Sequence, residues 1–276
     1  MSELKEFWNS IPASSNDGLD VDEALDAVLA RVTRRKHIER ALIALLVPVL
    51  ALSVYLVIPS RPEPQMLQCY APVGEHRTVN LADGTVVTLN SGSILVYSSL
   101  YSKGERRVAL SGEAKFVVAK NPKQAFVVKT KDFDVRVLGT VFGVSSYSNK
   151  QESSVVLESG SVVIVKDEKE SRLYPGQKAE FNKNGDLLVS NVSSSDYMAW
   201  VQGGFYHRQA TIYDIIEHIR NTYDMDVNCN FNAKYRNAVI TCKSDSYLDI
   251  EKYLKLLSEL IPGMKYNISD NTITLN

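Results

Sequence analysis

One peptide bond in this sequence joins two residues suited to breaking it. Gly139 gives its carbonyl carbon the least steric hindrance a residue can offer, and Thr140 carries a hydroxyl next to it. A turn that strains this bond favours an N-to-O acyl shift and then hydrolysis, with Thr140 as a single-turnover nucleophile. The plainer reading is that Gly139 permits a bend or bulge between strands and Thr140 packs beside it. Both readings need strands on either side, so the meaning of the pair depends on the body that holds it.

Other reactive groups are sparse. The four histidines, His37, His76, His207 and His218, are scattered. His218 follows Asp214 by one helical turn, the spacing of a surface neighbour pair more than of a catalytic dyad. No Ser-His-Asp or paired-carboxylate pattern stands out, and no glycine-rich loop has a phosphate-binding context. No cysteine–histidine spacing fits a zinc site, so neither a metal nor a cofactor is expected. Cys229 and Cys242 fall in two adjacent expected strands, where an oxidising exterior bridges them or they stay as buried thiols. Cys69 lies too far past the apolar run below to read as a lipid-attachment site. An enzyme of conventional type is not expected. The net charge of -1 also argues against a general nucleic-acid binder.

The elements that position these residues begin with an anchor. Ala41 to Ile58 is an uncharged run of 18 residues. As a helix it spans about 27 Å, close to the hydrocarbon thickness of a bilayer. Pro48 is tolerated in such a helix, and the run is too long and too far from the start for a signal peptide. A stiff spacer, Pro59-Ser60-Arg61-Pro62-Glu63-Pro64, follows it. Arg31, Arg34, Arg35, Lys36 and Arg40 crowd the N-terminal flank, against Arg61 alone on the other. The positive-inside rule therefore predicts a single-pass membrane protein with its N-terminus cytoplasmic. The expected organisation is a head over 1–40, a transmembrane helix over 41–58, a spacer over 59–72 and an exterior over 73–276.

In the head, Asp20 and Glu23 stand at capping-box separation before a helix. Val21, Leu25, Val28 and Val32 recur at intervals of four, three and four and form one apolar stripe. Forty residues cannot bury both sides of that stripe. Either it docks into a cytoplasmic partner, or the helix is an extension of the transmembrane segment held at the membrane by its basic end.

Across 73–196 the hydropathy period is two. Ala82-Asp83-Gly84-Thr85 between Thr78–Leu81 and Val86–Leu89 is a strong hairpin signal. Further strands are expected at Arg107–Leu110, Lys115–Val118, Ala125–Val128, Asp134–Leu138, Ser154–Leu157 and Ser161–Val165, with Ser111-Gly112 as turn residues. The pattern predicts an all-β domain: a sandwich, a roll or a short solenoid. Residues 197–276 read differently, as a small α+β module of order β-α-β-β-α-β-β. Its helices carry the apolar faces Ile212, Ile215, Ile216, Ile219, Tyr223 and Ile250, Leu254, Leu257, Ile261, capped by Thr211 with Asp214 and by Ser246 with Asp249. Trp200 reads as an anchor between the two exterior domains.

Five segments between Val79 and Phe181 occur in a telling order. They are Leu81–Thr85, Leu89-Asn90-Ser91-Gly92-Ser93, Arg107–Phe116, Val137-Leu138-Gly139-Thr140-Val141-Phe142 and Pro175-Gly176-Gln177. In that order they resemble the FecR family of membrane-anchored sigma-factor regulators. The final module is similar to the signalling domain of some TonB-dependent transporters and secretins, as appended to such regulators in Bacteroidetes-type bacteria. Ala125 and Gly143 depart from the family pattern, where a proline and an asparagine are usual. The resemblance implies an anti-sigma factor of the inner membrane whose exterior lies in the periplasm. Its head would hold an extracytoplasmic-function sigma factor, through Val21, Leu25, Val28 and Val32. Its exterior would receive the signalling domain of an outer-membrane TonB-dependent transporter. Some members cut themselves at a Gly-Thr pair, which gives Gly139-Thr140 its second reading, and an intramembrane protease would finish the release. The competing reading is an anchored envelope scaffold without sigma-factor regulation.

Overall fold

The structure, a computed structural model, describes residues 21–57, 63–101, 106–182, 184–230 and 238–276, together with Glu6. Phe7-Trp8, the expected cap Asp20 and most of the proline spacer lie outside these residues. The chain divides into two compact units, Met1–Glu63 and Pro64–Asn276.

In the first unit, helix α1 runs without a break from Val21 to Val57, with Pro48 inside it. Its 37 residues make about 55 Å of helix. The expected head helix and the apolar run are therefore one element. Leu25–Tyr55 is long and apolar enough to cross a membrane. Leu42, Leu45, Leu46, Leu50 and Leu52 are all exposed along it, as suits a helix whose solvent is lipid. The Ser53 hydroxyl donates back to Leu50 O at 2.8 Å, competing with the helix ladder just past Pro48.

In the second unit, thirteen strands form the body among the described residues. They are β1 Met66–Tyr70, β2 Arg77–Asn80, β3 Val86–Leu89, β4 Ile94–Ser98, β5 Arg106–Val117, β6 Phe126–Lys129 and β7 Asp134–Val137. The rest are β8 Val141–Ser146, β9 Ser153–Ser159, β10 Val162–Lys166, β11 Lys169–Leu173, β12 Gln177–Phe181 and β13 Leu187–Asn191. The long strand β5 belongs to two sheets. Its first half pairs with β4 and, in parallel, with β6; its second half pairs with β3 and β8. One sheet runs β1-β4-β5-β6-β7-β10-β11 and the other β2-β3-β5-β8-β9-β12-β13. The result is a curled, sandwich-like roll with one core.

Ser111-Gly112, read from sequence as a turn, is the place where β5 crosses between the sheets. Ser111 pairs with Ile94 and Gly112 with Ser146. Gly112 has φ +122°, and a Cβ there would overlap the Ser93 side chain and backbone. The glycine bends a continuous strand instead of ending it. Likewise Met66–Tyr70, placed by sequence in a spacer, is strand β1, with Cys69 opposite Leu95. The core joins both sheets: Phe116 stacks on Phe142 with centroids 5.0 Å apart and meets Phe126 edge-on at 5.9 Å. Each such ring buried is worth about 1.5–3 kcal/mol.

The hairpin turn at Asp83-Gly84 forms as expected, with Leu81 N donating to Thr85 O at 2.8 Å. Asp83 also anchors a polar knot that hydropathy does not reveal. Its carboxylate accepts from Thr85 Oγ1, Tyr101 Oη and Arg106 Nη1 at 2.8, 3.0 and 3.1 Å. Arg106 is only 1% exposed. Its other N–H groups reach the carbonyls of Ala119, Asn121 and Gln124.

A short helix α2, Ser194–Tyr197, and a 3-10 turn, Ala199–Gln202, lead into the C-terminal module. Among the described residues its elements run β14 Phe205–Thr211, α3 Ile212–Tyr223, β15 Asp226–Cys229, β16 Val239–Ser244, α4 Ile250–Leu260, β17 Tyr266–Ser269 and β18 Thr272–Leu275. They make two small sheets, β14-β16 and β15-β18-β17. Thr211 and Asp214 form the expected capping box. The cap of α4 is Asp249, which accepts from Lys252 N at 2.9 Å; Ser246 instead sits in a turn with Ser244. Ile212, Ile215, Ile216, Ile219, Leu254, Leu257 and Ile261 are buried as expected, joined by Tyr253. Cys229 and Cys242 lie in different sheets and are free, so the adjacency expected of their strands does not occur.

Candidate functional site

Three places carry the residues singled out from sequence. The first is the exposed stripe on α1. Val28 is 57% and Val32 46% exposed, while Leu25 is partly covered; the Val21 side chain lies outside the described residues. Spacings of three and four put Leu25, Val28 and Val32 on one helical face, so this end of α1 carries an apolar strip on which Val28 and Val32 stay exposed.

The second is the Gly139–Thr140 bond, in the link between β7 and β8. Gly139 has φ +154°, and a Cβ there would come within 2.7 Å of Lys120 Cα. Only glycine fits. Thr140 is 4% exposed; its hydroxyl donates to Ser161 O at 3.0 Å, and its carbonyl accepts from Val118 N at 3.0 Å. Gly160 closes the other side, since a Cβ on it would lie 3.0 Å from Gly139 O. The pair therefore bends the chain and is pinned by the start of β10. Attack on the Gly139 carbonyl requires the hydroxyl to leave Ser161 O first.

The third place is the junction of body and module, of which the sequence marks Trp200 alone. Trp200 meets His76 edge-on with centroids 5.3 Å apart, which fits its reading as an anchor. Gly143 leaves space for Met198, whose Cε would lie 3.3 Å from a Cβ at that position. Lys150 pairs with Glu217 at 3.2 Å, and Gly74 N donates to Asn221 O at 3.1 Å. Beneath lies a cleft of about 480 Å³. Glu113 points into it, held by Asn90 Nδ2 at 2.6 Å; burial pushes its carboxyl up, with Asn90, Lys150 and Lys178 opposing.

On the module side, His218 is not the surface partner of Asp214 that its spacing suggests. It packs against His207 at 4.7 Å and Phe205 at 5.4 Å. Asp214 turns back to Thr211 instead. Burial, with His207 and Lys150 adding to it, pulls His218 down to about 3. Burial likewise pulls His207 down to about 4, against the nearby Asp214. His207 Nε2 shares a 2.8 Å hydrogen bond with Tyr253 Oη, but the buried Nε2 of His218 has no partner among the described residues. Among the described residues no His, Cys, Asp and Glu group forms a metal-binding cluster. Among the module's tyrosines, Tyr223 packs against the core, Tyr206 meets Tyr197 edge-on, and Tyr213 is exposed.

Residues 69–163 match the family described as FecR protein, and residues 205–275 match the family described as FecR, C-terminal. The chain belongs to the FecR family. Two crystal structures of a candidate anti-sigma factor from Parabacteroides distasonis ATCC 8503 resemble this FecR-family chain, each with a TM-score of 0.70 and 29% identity. Each match covers 76% of this chain and 98% of the other. No curated protein matches significantly. The second FecR match falls on the module, so the cleft lies between the two matched regions.

Proposed function

We propose that this FecR-family chain is a membrane-anchored anti-sigma factor that relays a signal from an outer-membrane TonB-dependent transporter to an extracytoplasmic-function sigma factor. The observation that carries the reading is a likeness spanning nearly the whole of a candidate anti-sigma factor, β body and module together. The basic N-terminal flank orients α1 with its head in the cytoplasm of the inner membrane, leaving body and module in the periplasm. The module, over 197–276, is the receiver for the transporter's signalling domain, and its β-α-β-β-α-β-β order is the likeness that suggests this role.

The head holds the sigma factor through Val21, Leu25, Val28 and Val32. Burying such side chains is worth about 1.5–3 kcal/mol each, so changing Leu25 and Val28 together to Asp is expected to abolish the complex. Co-purification of the sigma factor with the full-length double variant measures this. Retention at the wild-type level would show that the stripe is not the docking face.

Release proceeds by stepwise proteolysis that ends within the apolar part of α1. Pro48 and the Ser53 back-bond weaken the helix there, which favours an intramembrane protease. If the first cut is self-made, it falls between Gly139 and Thr140. Immunoblots of protein tagged at both ends are then expected to show Thr140→Ala uncut and Thr140→Ser cut. An identical fragment pattern in wild type and Thr140→Ala would rule out Thr140 as the nucleophile.

A further inference from the structure

The junction cleft has a composition that selects its occupant. At about 480 Å³ it lies within the roughly 300–1,000 Å³ typical of small-ligand sites. Four carboxylates line it, from Glu113, Asp196, Asp214 and Glu217, against the single ammonium of Lys150. Two of these are committed elsewhere, Asp196 to Lys243 at 3.3 Å and Asp214 to Thr211. Glu113 is the one on the body side, and its hydrogen bond from Asn90 engages Oε2. His218 also lines the cleft, while its Nε2 is itself buried and has no hydrogen-bond partner among the described residues. The Nδ1 of that ring faces Thr222 Oγ1 at 3.4 Å.

The cleft thus carries an excess of acidic groups over basic ones, and Trp200, Tyr147 and Tyr206 line its wall. Ammonium and guanidinium groups bring several donors, a positive charge and no acceptor, and both are attracted to aromatic faces. A cation already visits: Lys150 Nζ stands 5.2 Å from the centroid of the Tyr147 ring while it pairs with Glu217. We propose that this cleft is a binding site for a guanidinium or alkylammonium group, with Glu113 as counter-ion and Trp200 and Tyr147 as walls. The incoming cation competes with Lys150 for this acidic ground. Occupancy therefore loosens the Lys150–Glu217 link between body and module. The group arrives on a free polyamine or on an Arg or Lys side chain of a partner protein.

The test uses the full-length chain in detergent with Trp8→Phe, which leaves Trp200 as the single indole. Its fluorescence is followed during titration with spermidine, with acetyl-Gly-Arg-Gly-amide and with the same peptide carrying neutral citrulline. A saturable change with spermidine or the Arg peptide is expected, and none with citrulline. Glu113→Gln is expected to weaken binding at least tenfold, about 1.4 kcal/mol. Tighter binding of the peptide assigns the site to a partner's side chain, and tighter binding of spermidine assigns it to a free amine. No saturation with either cation, an equal response to citrulline, or full affinity in Glu113→Gln overturns the proposal. The citrulline arm uses the wild-type cleft, so it stands even if Glu113→Gln disturbs the fold.

Discussion

Replacing Arg106 with methionine is expected to destabilise the β body by about 3–5 kcal/mol, a large part of the roughly 5–15 kcal/mol that holds a domain together. The guanidinium is only 1% exposed and joins two separate segments: the Asp83 turn and the stretch that carries the carbonyls of Ala119, Asn121 and Gln124. Removing it leaves the Asp83 carboxylate without its charge partner and takes a donor from the carbonyls of Ala119, Asn121 and Gln124. Lysine is expected to fare little better, because one ammonium cannot reproduce the guanidinium fork. The double change Arg106→Met with Asp83→Asn is expected to cost less than the two single changes added, since it leaves no orphaned charge. Urea midpoints of the three variants measure this; a single Arg106→Met variant within 1 kcal/mol of wild type would remove the knot from the account of stability. The knot also has an acid limit. Burial alone would raise the Asp83 pKa, but hydrogen bonds from Thr85, Arg106 and Tyr101 together bring it below the usual carboxylate value. Its contribution is therefore complete above the ordinary aspartate range near pH 4 and is lost only as pH falls through the lower folded value.

What the sequence revealed and what it hid follow from how each feature is encoded. The isoleucines of α3 and the Thr211–Asp214 box are local: spacing and capping chemistry lie within a few residues, and both appear as read. Asp83-Gly84 is local in the same way. Ser111-Gly112 carries the same turn chemistry, yet Gly112 is a crossing point because Ser93, on a distant stretch, occupies the space a side chain would need. Nothing local marks Arg106, which stands just before the strand expected at Arg107–Leu110. Only the return of the chain through residues 119–124 makes it an interior group. The cleft was illegible for the same reason, since Glu113, Lys150 and His218 belong to a strand, a turn and a helix with no common pattern. The buried histidines were masked by a real periodicity. Asp214 and His218 do stand one helical turn apart, but Asp214 is taken by the cap and His218 turns to the core.

That inward turn makes the module acid-labile at a pH where the body still holds. His207 and His218 fold with pKa values of about 4 and about 3, against an ordinary value of 6.5. Because the folded values are depressed, protons bind the unfolded chain more tightly. Stability is then complete above pH 6.5 and falls as pH drops from there toward the folded values. At pH 5 each histidine removes about 2 kcal/mol relative to pH 7.5, roughly 4 kcal/mol for the pair. With the rings 4.7 Å apart, a proton on one further opposes a proton on the other. Nearby Asp214 partly offsets this at His207, while Lys150 adds to it at His218. Hydrogen exchange at the buried amides of Ile215 and Ile219 is expected to rise between pH 6.5 and 5, once corrected for the intrinsic rate. Exchange at Phe116 and Phe142 in the body is expected to stay slow to about pH 4, where its carboxylates begin to protonate. His218→Leu tests the cause, because it removes the proton site without breaking the His207–Tyr253 bond. It is expected to restore about 2 kcal/mol at pH 5. Corrected exchange in the module that does not change between pH 7.5 and 5 would mean that the two rings are not held neutral by their burial.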